Sequence, residues 1–302
     1  MSWALIQPQP EVFDFSYYDP IVEDAAKSGL ELIGMVSSQR GIKYFPARDW
    51  WIWNNHRGMM PDPAAWSRFL ATVVERYREV IRYWEIWSEP NCPVCNPMSY
   101  YDHRLYREVL VLGSKAIRDA DSSARIISGG LWLDALRPSY LNALLADGAA
   151  EYFDVFSWHL LLMPLRRESI PFPLWKPTLD RWMDYFRARL PKDCPIWITE
   201  FGIPTRLGDS ETLHTRSRGE IVGLTEEEQA DWFSQFAEVA DGEWGIGALI
   251  WLMLSDQDDP TRYYTSAMGM LRADGSEKPI AARIAEFQRE KAVQRAANRG
   301  GG

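Results

Sequence analysis

The sequence predicts an α/β protein built as a (β/α) barrel, and three observations carry that prediction. Short apolar runs rich in branched and aromatic residues recur along the chain, each too short to be a helix. Amphipathic stretches of helical period separate them, so strand and helix alternate without a break, the pattern of a parallel sheet covered by helices. No Gly/Ser-rich or Pro-rich linker divides the 302 residues, which favours one large barrel over two ordinary domains.

Residues 1–19 read as the end of a strand followed by a loop, and a helix is expected over 19–28. Strands are expected at 30–36, 83–87, 124–128, 153–158, 196–199 and 246–252. Helices are expected at 63–82, 99–119, 138–146, 177–190 and 225–240, the last opened by Thr225-Glu226-Glu227-Glu228, which matches a capping box. This gives six strands where a closed (β/α)8 barrel has eight. Either the chain starts inside the second βα unit or its barrel is built irregularly. One barrel domain is expected over 1–298, with the terminal Arg299-Gly300-Gly301-Gly302 as a disordered tail.

Composition narrows the function classes. With 33 Lys+Arg against 42 Asp+Glu the formal net charge is −9, and no basic stripe is present to track a phosphate backbone, so nucleic acid is not an expected partner. No stretch approaches the roughly 20 continuous apolar residues of a membrane span, so no membrane partner is expected. The first residues lack a signal-peptide pattern. The compartment stays open: cytoplasmic for the chain as it stands, secreted if an N-terminal segment is missing. Three cysteines cannot build a disulfide framework; Cys92-Pro93-Val94-Cys95 reads as a redox pair, half of a zinc site or a local disulfide. No second CxxC and no His pair at ligand spacing accompany it, and of the four His, at 56, 103, 159 and 214, only one ends a strand. No metal and no other cofactor are therefore expected, which disfavours a metal-dependent barrel enzyme. The 15 Trp, 13 Tyr and 12 Phe fit a ring-lined cleft for a flat ligand such as a sugar, with core packing as the alternative.

Two glutamates end apolar strands, where a buried carboxylate is costly unless it has a task. In Tyr83-Trp84-Glu85-Ile86-Trp87-Ser88-Glu89-Pro90-Asn91, alternation sends Glu85, Trp87 and Glu89 to one face, with Glu89 at the carboxyl end. In Pro195-Ile196-Trp197-Ile198-Thr199-Glu200-Phe201-Gly202, Glu200 holds the same place on a later strand. Active sites of barrels lie at the carboxyl ends of the strands, so both glutamates are expected at one pocket. Paired carboxylates are what glycoside hydrolysis requires: one protonated, its pKa raised by its neighbour, to donate to the leaving oxygen, the other ionised to attack or to direct water. A structural salt bridge to a barrel-mouth Arg is the alternative role for each.

The string Trp84-Glu85-Ile86-Trp87-Ser88-Glu89-Pro90-Asn91 resembles the W-E-I-W-N-E-P-N motif of clan A glycoside hydrolases, and Trp197-Ile198-Thr199-Glu200-Phe201-Gly202 resembles their second motif. The resemblance implies a (β/α)8 (TIM) barrel and a retaining β-glycosidase, with Glu89 as acid/base on the fourth strand and Glu200 as nucleophile on the seventh. It extends to Trp3-Ala4-Leu5-Ile6-Gln7-Pro8, to Phe13-Asp14-Phe15-Ser16-Tyr17-Tyr18-Asp19, and to Met268-Gly269-Met270-Leu271, Asp274-Gly275 and Lys278-Pro279 after the eighth strand. In that register the six strands are the third to the eighth, and the barrel lacks its first βα unit and most of its second strand. Exposed strand edges and an apolar interior would then favour self-association, the oligomeric state being otherwise open.

The resemblance also implies the supporting residues. Ser88 stands where the clan usually has the Asn that bonds the sugar 2-hydroxyl, and makes fewer donor bonds. His159 matches a position near the nucleophile, with a satisfied structural histidine as the alternative, and Trp251 resembles a tryptophan that forms the sugar platform. In that register Trp53 and Asn54, within Trp50-Trp51-Ile52-Trp53-Asn54-Asn55-His56, overhang the cleft. Asn91 holds the Glu89 loop or caps the turn, and Tyr263 and Tyr264 line the exit. The implied substrate is a β-linked glycoside or oligosaccharide. A carbohydrate-binding barrel that has lost turnover through Ser88 and its missing front is the alternative.

Overall fold

A computed structural model describes residues 1–37, 52–55, 58–92, 102–132, 138–162, 171–207, 212–215, 219–258 and 261–300. Helices α1 (Trp3–Ile6) and α2 (Tyr18–Lys27) precede strand β1 (Leu32–Val36) and the hairpin β2 (Ile52–Asn55) and β3 (Gly58–Pro61). There follow α3 (Pro63–Tyr77), β4 (Ile81–Ser88), α4 (His103–Ala120), β5 (Arg125–Trp132), α5 (Pro138–Ala146) and β6 (Phe156–Leu161). Next come α6 (Phe172–Arg187), β7 (Ile196–Gly202), the hairpin β8 (Thr212–Thr215) and β9 (Gly219–Val222), α7 (Glu226–Gly242), β10 (Leu249–Trp251) and α8 (Pro279–Gly300).

Six strands form a parallel sheet in the order β1-β4-β5-β6-β7-β10, with helices in the connections. This is the strand run of a (β/α) barrel with six strands of its eight. The chain gathers into two compact units where the sequence reads as one domain: Met1–His159 with Arg189–Trp197, and Leu160–Ala188 with Ile198–Gly302. Strands β6 and β7 run from the first unit into the second. Among the described residues no helix is long and apolar enough to cross a membrane.

In the first unit, α3 and α4 present their apolar faces to β4, and the fit leaves no room for side chains at two glycines. A Cβ on Gly34 of β1 would lie 2.5 Å from the Trp84 ring, and one on Gly113 of α4 would lie 3.1 Å from Ile86. Trp3, Trp66 and Phe69 form a second layer, with Trp3 stacked 5.0 Å from Phe69 and tilted 5.3 Å from Trp66. In the second unit Phe201 of β7 stacks 4.4 Å from Phe236 of α7, and Phe172 and Trp244 close edge-on to Phe236. Among the described residues eight tryptophans (3, 66, 84, 87, 132, 158, 232 and 244) are buried. Core packing therefore absorbs much of the aromatic surplus.

Several boundaries differ from expectation for identifiable reasons. Residues 3–6 are helical; the expected strand end survives as one parallel bridge, Ser2 to Ser37. Helix α6 begins at Phe172, takes Pro173 into its first turn and keeps Pro177 inside, so Pro177 does not mark its start. Strand β5 continues past Ser128 through Gly129 and Gly130 to Trp132, a glycine pair that reads as a break in sequence. Both hairpins went unanticipated. The capping box at Thr225 and Glu228 forms as expected, with both reciprocal bonds present. Helix α8 reaches Gly300, so Arg299 and Gly300 are helical.

Trp3→Ala should therefore lower the stability of the first unit by about 3–5 kcal/mol, the cost of emptying a buried aromatic site. Leu5→Ala on the same helix, at a residue 55% exposed, should change it by less than about 0.5 kcal/mol. Denaturant unfolding of the two variants checks both values.

Candidate active site

The carboxyl end of β4 departs from regular strand geometry at two positions. Trp87 (φ 76°) and Glu89 (φ 47°) both adopt the left-handed region, which costs a non-glycine residue about 1–3 kcal/mol. At Trp87 the turn breaks alternation: its ring meets Trp66 of α3 edge-on at 5.7 Å, so Trp87 lies on the helix side and not on the face of Glu85 and Glu89. At Glu89 the backbone N–H donates to the Gly130 carbonyl (3.0 Å), and the Glu89 carbonyl accepts from Cys92 N–H (2.9 Å). Asn91 uses both ends of its amide on Trp132, donating to its carbonyl and accepting from its N–H, each at 2.9 Å. This pins the loop to the end of β5. Asn91 therefore holds the Glu89 loop, with its polar atoms committed to backbone. Cys92 is disulfide-bonded; Cys95 lies outside the described residues.

Glu89 is 9% exposed, and its Oε1 lies 3.2 Å from Nδ1 of His159 on β6. The other imidazole nitrogen, Nε2, lies 3.6 Å from Oε1 of Glu85, an ion-pair distance, and the same Glu85 oxygen accepts from Gly130 N–H at 2.9 Å. Glu85 and His159 are 3% and 1% exposed. The register explains the meeting, since Glu85 pairs with Ile127 and Ser88 with Gly130 across β4–β5, and Trp132 pairs with His159 across β5–β6. Gly130 is the gap the ring fills, because a Cβ there would lie 2.0 Å from Nε2. Its neighbour Gly129 allows β4 to approach: a Cβ there would lie 2.7 Å from the Ile86 carbonyl. Tyr106 of α4 accepts from Gly129 N–H (2.5 Å) and donates to the Ile86 carbonyl (3.3 Å), and burial pushes its phenol well above the usual range. Ser88 is buried beside Gly130.

In the second unit Glu200 is half-buried near the carboxyl end of β7, one residue before Phe201. Trp251 departs from the sugar-platform expectation. β10 pairs Leu249 with Ile198 but Trp251 with Phe201, and this irregularity carries Trp251 to the helix side. There its ring stands edge-on to Phe201 (5.4 Å) and Phe233 (5.8 Å), its Nε1 donates to the Met268 carbonyl (2.8 Å), and it lines an apolar cavity of about 430 Å³ with Phe287 of α8. Tyr264 is buried, with its ring 4.9 Å from that of Tyr263. Trp53 and Asn54 lie on β2, opposite Met60 and Met59. Trp50, Trp51 and His56 fall outside the described residues.

The sequence reasoning missed the buried pair Lys278–Asp256. Lys278 Nζ lies 2.6 Å from Asp256 and donates to Thr205 Oγ1 at 2.9 Å, while Asp256 also accepts from Gly269 N–H at 2.8 Å. Burial raises the Asp256 carboxyl and lowers the Lys278 ammonium from their ordinary ranges, against the pull of their mutual contact. The pair ties the segment after β10 to the loop after β7. The one signal in sequence was Lys278-Pro279 within the segment that resembles the family's after the eighth strand, and it says nothing of an acidic partner.

Solved structures resemble this chain throughout its length. A family 39 glycoside hydrolase from Bacteroides cellulosilyticus superposes with a TM-score of 0.65 at 18% identity, covering 94% of this chain and 56% of its own. The likeness is one of fold. An exo-β-1,4-mannosidase from an Opitutaceae bacterium gives 0.68 at 16%, covering 97% of this chain and 52% of its own. Xylanase 10B of Thermotoga maritima gives 0.63 at 14%, covering 97% of this chain and 85% of its own. The chain thus spans little more than half the length of the first two. No family model matches the sequence, and no curated protein matches it.

Gly130→Ala should displace the His159 ring and cost about 3 kcal/mol or more, whereas Gly242→Ala, with nothing within 4 Å of its Cβ, should be neutral or stabilising by up to about 1 kcal/mol. Thermal unfolding of the two variants tests this. Lys278→Met should cost about 3–5 kcal/mol by stranding a buried carboxylate, and adding Asp256→Leu should recover part of the loss. Equal losses in the single and double variants would show that the ion pair is not what holds this segment.

Proposed function

We propose that this chain is the catalytic (β/α) barrel of a retaining β-glycosidase that hydrolyses O-glycosidic bonds of β-linked sugars with Glu89 as acid/base and Glu200 as nucleophile. One observation carries the reading: a buried glutamate at the carboxyl end of β4, in a left-handed backbone position, with an imidazole nitrogen 3.2 Å from its carboxyl oxygen. A strained backbone and two buried ionisable groups are costly, and a proton-transfer site is a reason to keep them. Glu200 near the end of β7, a parallel strand of the same sheet, supports the second role. The glycoside hydrolase fold of the neighbours agrees with both.

In this mechanism Glu200 attacks the anomeric carbon while Glu89 gives its proton to the departing oxygen. Glu89, now a base, then takes a proton from water as that water displaces Glu200 and frees the sugar. The two carboxyls act in turn because esterification of Glu200 removes its negative charge. Ser88 favours a second reading, a barrel that binds sugar without turnover, because its short hydroxyl replaces an amide-sized donor at the 2-hydroxyl.

A panel of aryl β-glycosides (glucoside, xyloside, galactoside, mannoside, cellobioside) separates the two readings. Turnover of at least one member is expected, reduced about 10²–10⁴-fold in Glu89→Gln and to background in Glu200→Gln. Saturable sugar binding by a folded protein with no hydrolysis of any aryl or oligosaccharide substrate would favour the second reading.

A further inference from the structure

We propose that Glu85 is a positioning residue for the acid/base: through His159 it keeps one proton at the Glu89 carboxyl. The inference rests on the reading of Glu89 as the acid and extends it to a residue with no contact of its own with substrate.

Glu85 is a carboxylate inside a strand whose neighbours Trp84 and Ile86 are apolar and buried, and it is 3% exposed. A group so placed must carry a proton or be partnered. Its Oε1 accepts from Gly130 N–H at 2.9 Å, which commits one lone pair of that oxygen and leaves the other for a second donor. The same oxygen faces Nε2 of His159 at 3.6 Å. Two lone pairs cannot face each other in a dry site, so Nε2 carries the ring proton.

The consequence falls on the other side of the ring. With Nε2 protonated, a neutral imidazole presents the lone pair of Nδ1 to Glu89 at 3.2 Å, and the oxygen there must supply the hydrogen. If the ring is instead an imidazolium, Nδ1 holds that hydrogen and Glu89 is ionised. Both forms carry one negative charge in total and differ only in where a single proton sits between Nδ1 and Glu89. Glu85 thus anchors one end of the imidazole and leaves exactly one proton in store at the other, beside the acid. Two further ionisable groups lie in reach of the Glu85 charge: the buried Met1 ammonium, which donates to the Met35 carbonyl, and the Tyr106 phenol, which bonds Gly129 and Ile86.

Glu85→Gln retains the oxygen that faces both Gly130 N–H and Nε2 and should behave as the wild type, whereas Glu85→Met fills the same space and offers neither group an acceptor. In the full chain, kcat/KM of Glu85→Met should fall at least about 10-fold on glycosides with poor leaving groups, whose oxygen needs a proton. It should change less than about 3-fold on a dinitrophenyl glycoside, which leaves without one. Equal losses on both substrates would indicate a merely structural role and overturn the proposal. A second readout needs no turnover. Nitrogen NMR of histidine-labelled protein, with His159→Asn for assignment, should find Nε2 protonated in the wild type and in Glu85→Gln, and that proton shifted toward Nδ1 in Glu85→Met. An unprotonated Nε2 in the wild type, or no change in Glu85→Met, overturns the proposal. Should the wild type hydrolyse nothing while His159 behaves as described, the glycosidase reading fails and the placement of the proton stands.

Discussion

The constraint on which the first unit depends is that three ionisable side chains, Glu85, His159 and Glu89, share one dry space on β4 and β6. None of them is stable there alone. A buried carboxylate or imidazolium costs several kcal/mol unless it is paired, so the surrounding backbone must hold all three in register. Gly130 does this three ways: its N–H binds Glu85, its carbonyl binds the Glu89 N–H, and its missing side chain is where the imidazole lies. Asn91 and Tyr106 then secure the two backbones that Gly130 and Gly129 bring together.

The left-handed positions at Trp87 and Glu89 follow from the same demand. A regular strand would send Trp87 to the face of Glu85, where a ring would occupy the space of His159. Turning Trp87 toward Trp66 gives its bulk to the helix layer and leaves the inner face to polar groups. Strain is accepted at two residues so that apolar packing on one face and the buried polar groups on the other are both satisfied. The second unit solves a related problem with the Lys278–Asp256 pair, which stitches the segment after β10 to Thr205 after β7.

Much of this was legible in the residue order. Alternation of short apolar runs with amphipathic helices is a direct readout of a parallel sheet, and all six strands lie where that pattern places them. The strand-end places of Glu89 and Glu200 were legible because a carboxylate ending an apolar strand is expensive and therefore conspicuous. What escaped were features set by backbone geometry. A glycine pair signals a break, so β5 was cut at Ser128, although Gly129 and Gly130 are strand residues required by close approach. Alternation cannot register a positive φ at Trp87, which it assigns to the face of Glu85, or an irregular pairing before Trp251. Lys278 escaped because burial of a lysine depends on Asp256 and Thr205, far away in sequence.

The most direct test of the account is the stereochemistry of the first product. A double displacement, first by Glu200 and then by water that Glu89 activates, inverts the anomeric carbon twice, so proton NMR during hydrolysis of a β-glycoside should show the β anomer of the released sugar before mutarotation. First appearance of the α anomer would mean that water attacks directly, and would contradict the assignment of Glu200 as nucleophile.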